Sequence, residues 1–367
     1  MHHLAKKIWT YTILIIVMGF IALYSASYQN ARVEQGVFYD QLLCAAIGIL
    51  IMYLIGKMDY RRFYEGAYIF YIFNVVLLIL VLLAGRHALG ARRWIEIAGL
   101  SFQPSELSKL ALILILARYL SNRRPKLSFD FLSQTQILWK DLIIPFGFTM
   151  ILMIPIFKQP DLGTAILLFG IFIFILFASG IEHRYFFGFL GVCLSFMPFL
   201  WHILKPYQKN RLLVFLNPNI DPLGAGYTII QSKIAIGSGQ IFGKGWLAGT
   251  RNQLNFLPER HTDFVFSVIG EEWGLVGCLF LLYCYFMLIN TSLDIANQVK
   301  DRFGTLMCTG IVSVLVLQVV INIGMVMGLL PVVGITLPMV SYGRTSFLIF
   351  IIMMGFLLNL SKRRTVF

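Results

Sequence analysis

Residues 8–31, 66–85, 162–181, 185–204 and 273–293 are charge-free apolar runs of about twenty residues each, and that length decides the class of fold. A helix of ~20 residues crosses the ~30 Å hydrocarbon core of a bilayer with its backbone polar groups bonded internally. Shorter or partly polar stretches at 39–56, 104–121, 142–158, 305–328 and 343–361 bring the set to about ten. A chain that is 58% hydrophobic and 13% charged cannot hide that surface in a soluble fold. The expected fold is an all-α integral membrane protein of about ten transmembrane helices. It forms one polytopic domain over 1–367, with a large extracytoplasmic loop at about 204–263 between helices seven and eight.

The first run has no small-residue cleavage site after it and reads as a retained helix. With an inside N-terminus, sixteen of the 30 Lys and Arg residues fall in short inner segments, whereas seven of the remainder lie in the long loop, where the positive-inside rule does not apply. Cytoplasmic termini are therefore expected. The net charge of +13 is dispersed among the spans instead of forming one stripe, which points to anionic lipid head groups and phosphates as partners and away from nucleic acid. Cys44, Cys193, Cys278, Cys284 and Cys308 all fall in expected spans with no Cys-x-x-Cys spacing, so neither a disulfide nor a thiolate metal site is expected. The inner segment 121–140 reads either as an interfacial stretch or as a plain connector.

Loops as long as 204–263 are usually functional. Turn formers crowd 217–227, residues 227–237 have the spacing of a short amphipathic helix, and 237–246 is rich in Gly around Lys244. That Gly-rich backbone, with Lys233 and Lys244, presents N–H groups and charge to a phosphate or simply makes turns. The loop ends in Pro258-Glu259-Arg260-His261-Thr262-Asp263, an acid at the water–membrane boundary beside a cation and a His. Asp263 reads as a general base or as a helix cap. His261 is a rival base or metal ligand, or a polar contact holding the loop; no His-x-x-x-His spacing accompanies it. Glu106 and Lys109, three apart after Pro104, share a helical face and either line a substrate path or form a structural pair.

Gly90-Ala91-Arg92-Arg93-Trp94, Phe102-Gln103-Pro104-Ser105-Glu106, Lys158-Gln159-Pro160-Asp161-Leu162-Gly163-Thr164, the Pro258 to Asp263 string, Asn322-Ile323-Gly324-Met325 and Leu337-Pro338-Met339-Val340-Ser341-Tyr342-Gly343 occur in that order along nearly the whole chain. Together they resemble the SEDS family (shape, elongation, division and sporulation). Gly224-Ala225-Gly226-Tyr227, Gly243-Lys244-Gly245-Trp246 and Arg260 resemble its elongation branch. Arg344 departs from the family pattern, placing a long cation where a residue without a side chain is usual.

The resemblance implies a peptidoglycan glycosyltransferase that polymerises lipid II outside the bacterial cytoplasmic membrane. It also implies a class B penicillin-binding protein and other elongation-complex membrane proteins as partners, and a catalytic Asp263. Asp263 would take the proton of the acceptor hydroxyl as it attacks the donor's anomeric carbon with inversion. Pyrophosphate leaves as a stable anion, so one carboxylate suffices where a glycosidase needs two. Arg93, Lys109, Lys233, Lys244 or Arg260, or a divalent cation such as Mg or Mn, would neutralise it. With Glu106, His261 and Ser341 these make up the expected substrate-binding set. An apolar face at 312–327 and 347–358 is expected to meet the partner's single span. The alternatives are a lipid II flippase, which inverted repeats would support and the sequence lacks, and a non-catalytic scaffold.

Overall fold

The structure is a computed structural model and describes residues 2–28, 31–88, 91–97, 100–123, 137–222, 224–254 and 256–362. Most of the 121–140 segment, with Arg363 and Arg364, lies outside the described residues. All ten expected stretches are helical. They form α1 (His2–Ser27), α2 (Ala31–Ile55), α3 (Arg61–Ala84), α4 (Pro104–Ser121), α5 (Ile144–Lys158, entered through a π-helical turn at Ile137–Ile143) and α6 (Leu162–Ala178). After these come α7 (His183–Ser195) and α8 (Met197–Ile203). Beyond the long loop stand α12 (Val265–Gln298), α13 (Arg302–Val326) and α14 (Arg344–Ser361). Among the described residues, seven helices are long and apolar enough to cross a membrane by length and composition. Of the others, α4 carries Glu106, Lys109 and Arg118, α6 has 17 residues, and the expected span 185–204 is broken at Phe196, ahead of Pro198.

Local chemistry sets several helix starts. Pro104 opens α4, where its missing N–H costs nothing. Asp161 caps α6 through the Thr164 N–H at 3.2 Å, and Asp301 caps α13 through the Gly304 N–H at 2.9 Å.

The core is built on α4, α13 and α14, which neighbours surround. Most of the expected partner surface is covered: Val312, Val314, Leu315, Phe347, Phe350 and Met353 are all buried, while Val320 and Met327 stay exposed. Their helices are apolar all round because they are enclosed, not because they face lipid. Exposed apolar residues are more numerous on the outer helices, among them α2 (Leu43, Leu50), α3 (Ile69, Leu83) and α12 (Leu279, Phe286).

One end of the bundle gathers the chain termini and is closed by polar ties. The Tyr60 hydroxyl donates to Asp301 at 2.9 Å, and the Asn359 amide donates to the carbonyls of Ile55 and Met58, both at 2.7 Å. The opposite end carries the elaborations. A three-stranded antiparallel meander, β1 (Arg86–Ala88), β2 (Ala91–Ile97) and β3 (Leu100–Phe102), links α3 to α4. The long loop is largely helical, with α9 (Pro206–Leu216), a 3₁₀ turn at Pro218–Ile220, α10 (Ala225–Gly239) and α11 (Thr250–Gln253).

The Gly-rich stretch is inserted into a break in α12. Gly274 has φ +64°, so the helix is interrupted there. The N–H groups of Leu275 and Val276 donate to Gln240 and Ile241 at 2.9 and 3.1 Å, while those of Lys244 and Gly245 donate to Glu271 and Glu272 at 3.0 and 3.0 Å. In an unbroken helix residues 275 and 276 would bond to 271 and 272. The loop thus supplies both missing acceptors and both missing donors, which is what allows a broken helix at membrane depth. The close approach requires glycine: a Cβ on Gly243 would stand 2.1 Å from the Glu272 carbonyl oxygen. The Gly-rich segment is therefore a backbone suture, and its N–H groups at Lys244 and Gly245 are not free to cradle a phosphate.

Candidate active site

Asp263 sits in a turn immediately before α12. Glu259 adopts a left-handed conformation (φ +51°), and its carbonyl accepts from the N–H groups of Thr262, Asp263 and Phe264 at 3.2, 3.1 and 3.3 Å. That turn lifts the Asp263 side chain clear of the helix. The N-cap of α12 is Phe264, without a side-chain cap, and among the described residues no hydrogen bond reaches the Asp263 carboxylate. Capping is not its role. Gly334 (φ +71°) lies opposite, its missing Cβ 3.5 Å from Asp263 Oδ2.

The carboxylate is half-buried, and its surroundings work against ionisation. Burial foremost, and then the negative charge of Glu259, push its pKa up to about 7, with Asp161 adding to the rise and Arg211 and Arg93 opposing it. Asp161 is itself occupied, accepting from Thr164, Gln103 and Ser105.

Arg93 and Arg211 reach the same locality from different elements. Arg93, on β2, donates Nε to the Gln159 carbonyl at 3.0 Å and a terminal N–H to that of Pro160. Arg211, on α9, donates to the Val332 carbonyl at 3.3 Å, and Tyr207, one turn earlier, to Pro160 at 3.2 Å. The two arginines and Tyr207 line a cleft walled by Pro331, Val332 and Val333. The sequence gives no individual mark to Arg211; its helical spacing from Tyr207 was the available signal.

The remaining expected residues are placed elsewhere. Glu106 and Lys109 form a buried ion pair of 2.6 Å between α4 and α13, where Lys109 also donates to Gln318 Oε1 at 3.2 Å. Lys233 is exposed on α10, its chain lying against Gly328. Lys244 pairs with Glu271 at 2.7 Å and donates to Thr250 at 2.9 Å, which spends it on the suture. Arg260 is buried and donates to the carbonyls of Ala26 and Asn252 at 2.7 and 2.9 Å, so it ties the loop to α1. The His261 ring lies 6.0 Å from that of Tyr342, and its carbonyl accepts from the Tyr342 N–H at 2.8 Å. Ser341 is buried and its hydroxyl accepts from the Leu337 N–H at 2.8 Å. Among the described residues no three His, Cys, Asp or Glu side chains gather as a metal-binding group.

Arg344 is absorbed without distortion. Gly343 is extended (φ 165°), Arg344 begins α14, and its guanidinium pairs with Asp40 on α2. No glycine-only conformation is required there, and the added charge is met.

Comparison with known proteins places these features in one family. A family model described as "Cell cycle protein" and covering FtsW, RodA and SpoVE matches residues 5–366. The peptidoglycan glycosyltransferase MrdB of Escherichia coli (strain K12) is 40% identical over 366 residues, 99% of this chain and 94% of that protein. The peptidoglycan glycosyltransferase RodA of Treponema pallidum is 30% identical over 420 residues, 95% of each. Among solved structures, a chain from work on how a peptidoglycan synthase complex coordinates polymerization and crosslinking superposes with a TM-score of 0.80 at 32% identity, covering 97% of this chain and 96% of its own. RodA of Thermus thermophilus gives 0.71 at 29% identity, covering 98% of this chain and 97% of its own. The chain belongs to the FtsW/RodA/SpoVE family of multi-pass membrane proteins, the family its motifs resemble.

Proposed function

We propose that this protein is a peptidoglycan glycosyltransferase of the bacterial cytoplasmic membrane that polymerises lipid II into glycan strands for cell elongation, with Asp263 as general base. The observation that carries the reading is the Asp263 carboxylate itself: it accepts no hydrogen bond among the described residues, lies half-buried beside Arg93 and Arg211, and titrates near the pH at which a base must work.

The chemistry follows from these groups. The acceptor's sugar hydroxyl gives its proton to Asp263 as its oxygen attacks the donor's anomeric carbon, and the bond to pyrophosphate breaks on the opposite face. Arg93 and Arg211 meet the departing diphosphate's charge; a guanidinium presents paired donors to phosphate oxygens and stays protonated throughout. Both are held by backbone carbonyls, so they are oriented before substrate arrives. Glu259, exposed beside Asp263, suits the way Mg or Mn arrives with substrate phosphates on one or two carboxylates, and such an ion would add positive charge at the leaving group.

The termini, with the basic inner segments around Arg61, Arg62, Lys300 and Arg302, are cytoplasmic, and the end bearing Asp263 is extracytoplasmic, where lipid-linked precursors are polymerised. The crosslinking partner is a class B penicillin-binding protein. A flippase reading is disfavoured because the sequence shows no inverted repeat, and the bonds lost at the break in α12, the feature most like a transporter's discontinuous helix, are remade by the chain's own loop.

The test is strand synthesis from lipid II by Asp263→Asn in membranes containing the partner. The expected loss is about 10²–10⁴-fold with insertion and partner binding retained, and the wild-type rate should rise with pH to a plateau above about 7. Wild-type synthesis by the Asn variant would end the proposal.

A further inference from the structure

We infer that Asn322, on α13, is a positioning residue that fixes the Asp263 carboxylate relative to the wall it faces. The inference rests on the reading of Asp263 as the base. Asn322 is fully buried, with 0% exposure. Its amide nitrogen donates to the Asp263 carbonyl at 2.9 Å and to the Ile335 carbonyl at 2.7 Å, so both N–H bonds are committed. One amide therefore holds the backbone of the catalytic residue and the backbone next to Gly334, the residue opposite its carboxylate.

The other side of Asp263 is held as well. Its N–H donates to the Glu259 carbonyl at 3.1 Å. The peptide units on both sides of its Cα are thus anchored, and the side chain swings only about its own torsions. Gln318 repeats the device one helical turn earlier on α13, donating to the Thr336 carbonyl at 3.4 Å while accepting from Lys109 at 3.2 Å. Residues 318 and 322 share a face, being four apart. They hold consecutive carbonyls, 336 and 335, so the segment opposite Asp263 is fixed by two amides on a core helix. The same stripe links the Glu106–Lys109 pair to the site without either residue touching the base.

The side-chain chemistry is specific. An aspartate at 322 would face two carbonyl oxygens with an acceptor, a serine has one donor for two acceptors, and an alanine leaves both carbonyls unmatched. Proton transfer needs heavy atoms within ~2.6–3.2 Å, and a misplacement of ~1 Å can cost about 10²-fold.

The experiment measures kcat, KM for lipid II, the pH dependence of kcat and thermal stability for Asn322→Ala, Asn322→Ser and Asp263→Asn in membranes with the partner. For Asn322→Ala we expect kcat to fall by about 10–100-fold, KM to stay within about twofold, and the pH midpoint to move from about 7 towards the ordinary carboxylate value as the side chain relaxes into solvent. Asn322→Ser, with one donor, should fall between and supplies the same readouts where the alanine variant does not fold. A lower melting temperature with kcat per folded molecule and pH midpoint unchanged makes Asn322 a structural staple and overturns the inference. If Asp263→Asn polymerises normally, the base reading fails and takes this inference with it. If Asp263→Asn is inactive while both Asn322 variants keep wild-type kcat, positioning alone is refuted.

Discussion

Folding places the Asp263 carboxylate where ionisation is unfavourable, and the stability of the protein should record that. Its pKa lies above the unfolded value of 3.8, raised to about 7 by burial and by Glu259. Between those values the folded chain binds more protons than the unfolded one, so stability falls as pH rises through this window and levels off above about 7. Asp263→Asn has no such titration. Its melting temperature should match wild type only below about pH 4 and exceed it increasingly from there to about pH 7, by the equivalent of about 4 kcal/mol at most. Equal melting curves at all pH values would mean that folding does not raise the pKa of Asp263. A variant that is more stable and less active is the outcome the general-base proposal expects. At this scale the sequence was informative about Asp263, because an acid at a span boundary has few reasons to be there. It said little about Arg211 or Asn322, whose contacts are with the carbonyls of Val332, Asp263 and Ile335, brought near only by the fold.

Among elements, α12 departs furthest from what its sequence advertises. A span beginning near 273 was legible as an apolar run, but the observed helix starts at Val265 and is interrupted at Gly274. Glycine strings are ambiguous when read alone: 237–245 has the composition of a turn or a phosphate loop, and its actual function depends on a partner helix some thirty residues later. Gly239, Gly243 and Gly274 meet backbone at distances where no Cβ fits: 1.9, 2.1 and 2.4 Å to Gly270 O, Glu272 O and Gly243 N. Alanine at Gly243 or Gly274, both with positive φ, should destabilise the protein by at least ~2–3 kcal/mol, read as a lowered melting temperature in detergent. Alanine at Gly237, which meets no neighbouring atom, serves as the control and should be tolerated. Equal effects at 237 and 243 would refute the suture. The meander at 86–102 escaped the sequence reading for a related reason: strands of 3, 7 and 3 residues are too short for a periodic signal and exist only through their pairing.

Across the whole molecule, hydropathy located ten helical stretches, one of them broken at Phe196, because every backbone group in hydrocarbon must be satisfied within its own segment. It could not rank them from rim to core. Both α13 and α12 are apolar, yet α13 is enclosed except at Val320, while α12 leaves Leu275, Val276, Leu279, Phe280, Tyr283 and Phe286 uncovered. Photocrosslinkers scanned across native membranes should therefore capture a single-span partner from exposed positions on α2, α3 or α12, and none from Val314 or Phe350. Capture from the latter two would mean that the core opens in the cell.

The exchange of hydrogen bonds at Gly274 also makes a splint of the surface loop. Residues 240 and 241 hold the N–H groups of Leu275 and Val276, and residues 244 and 245 hold the carbonyls of Glu271 and Glu272, so one short segment grips α12 on both sides of its break. Asp263 stands at the head of the first half. Whatever loosens that segment therefore loosens the half-helix that carries the carboxylate, so that the order of a surface loop and the placing of a half-buried acid are one property.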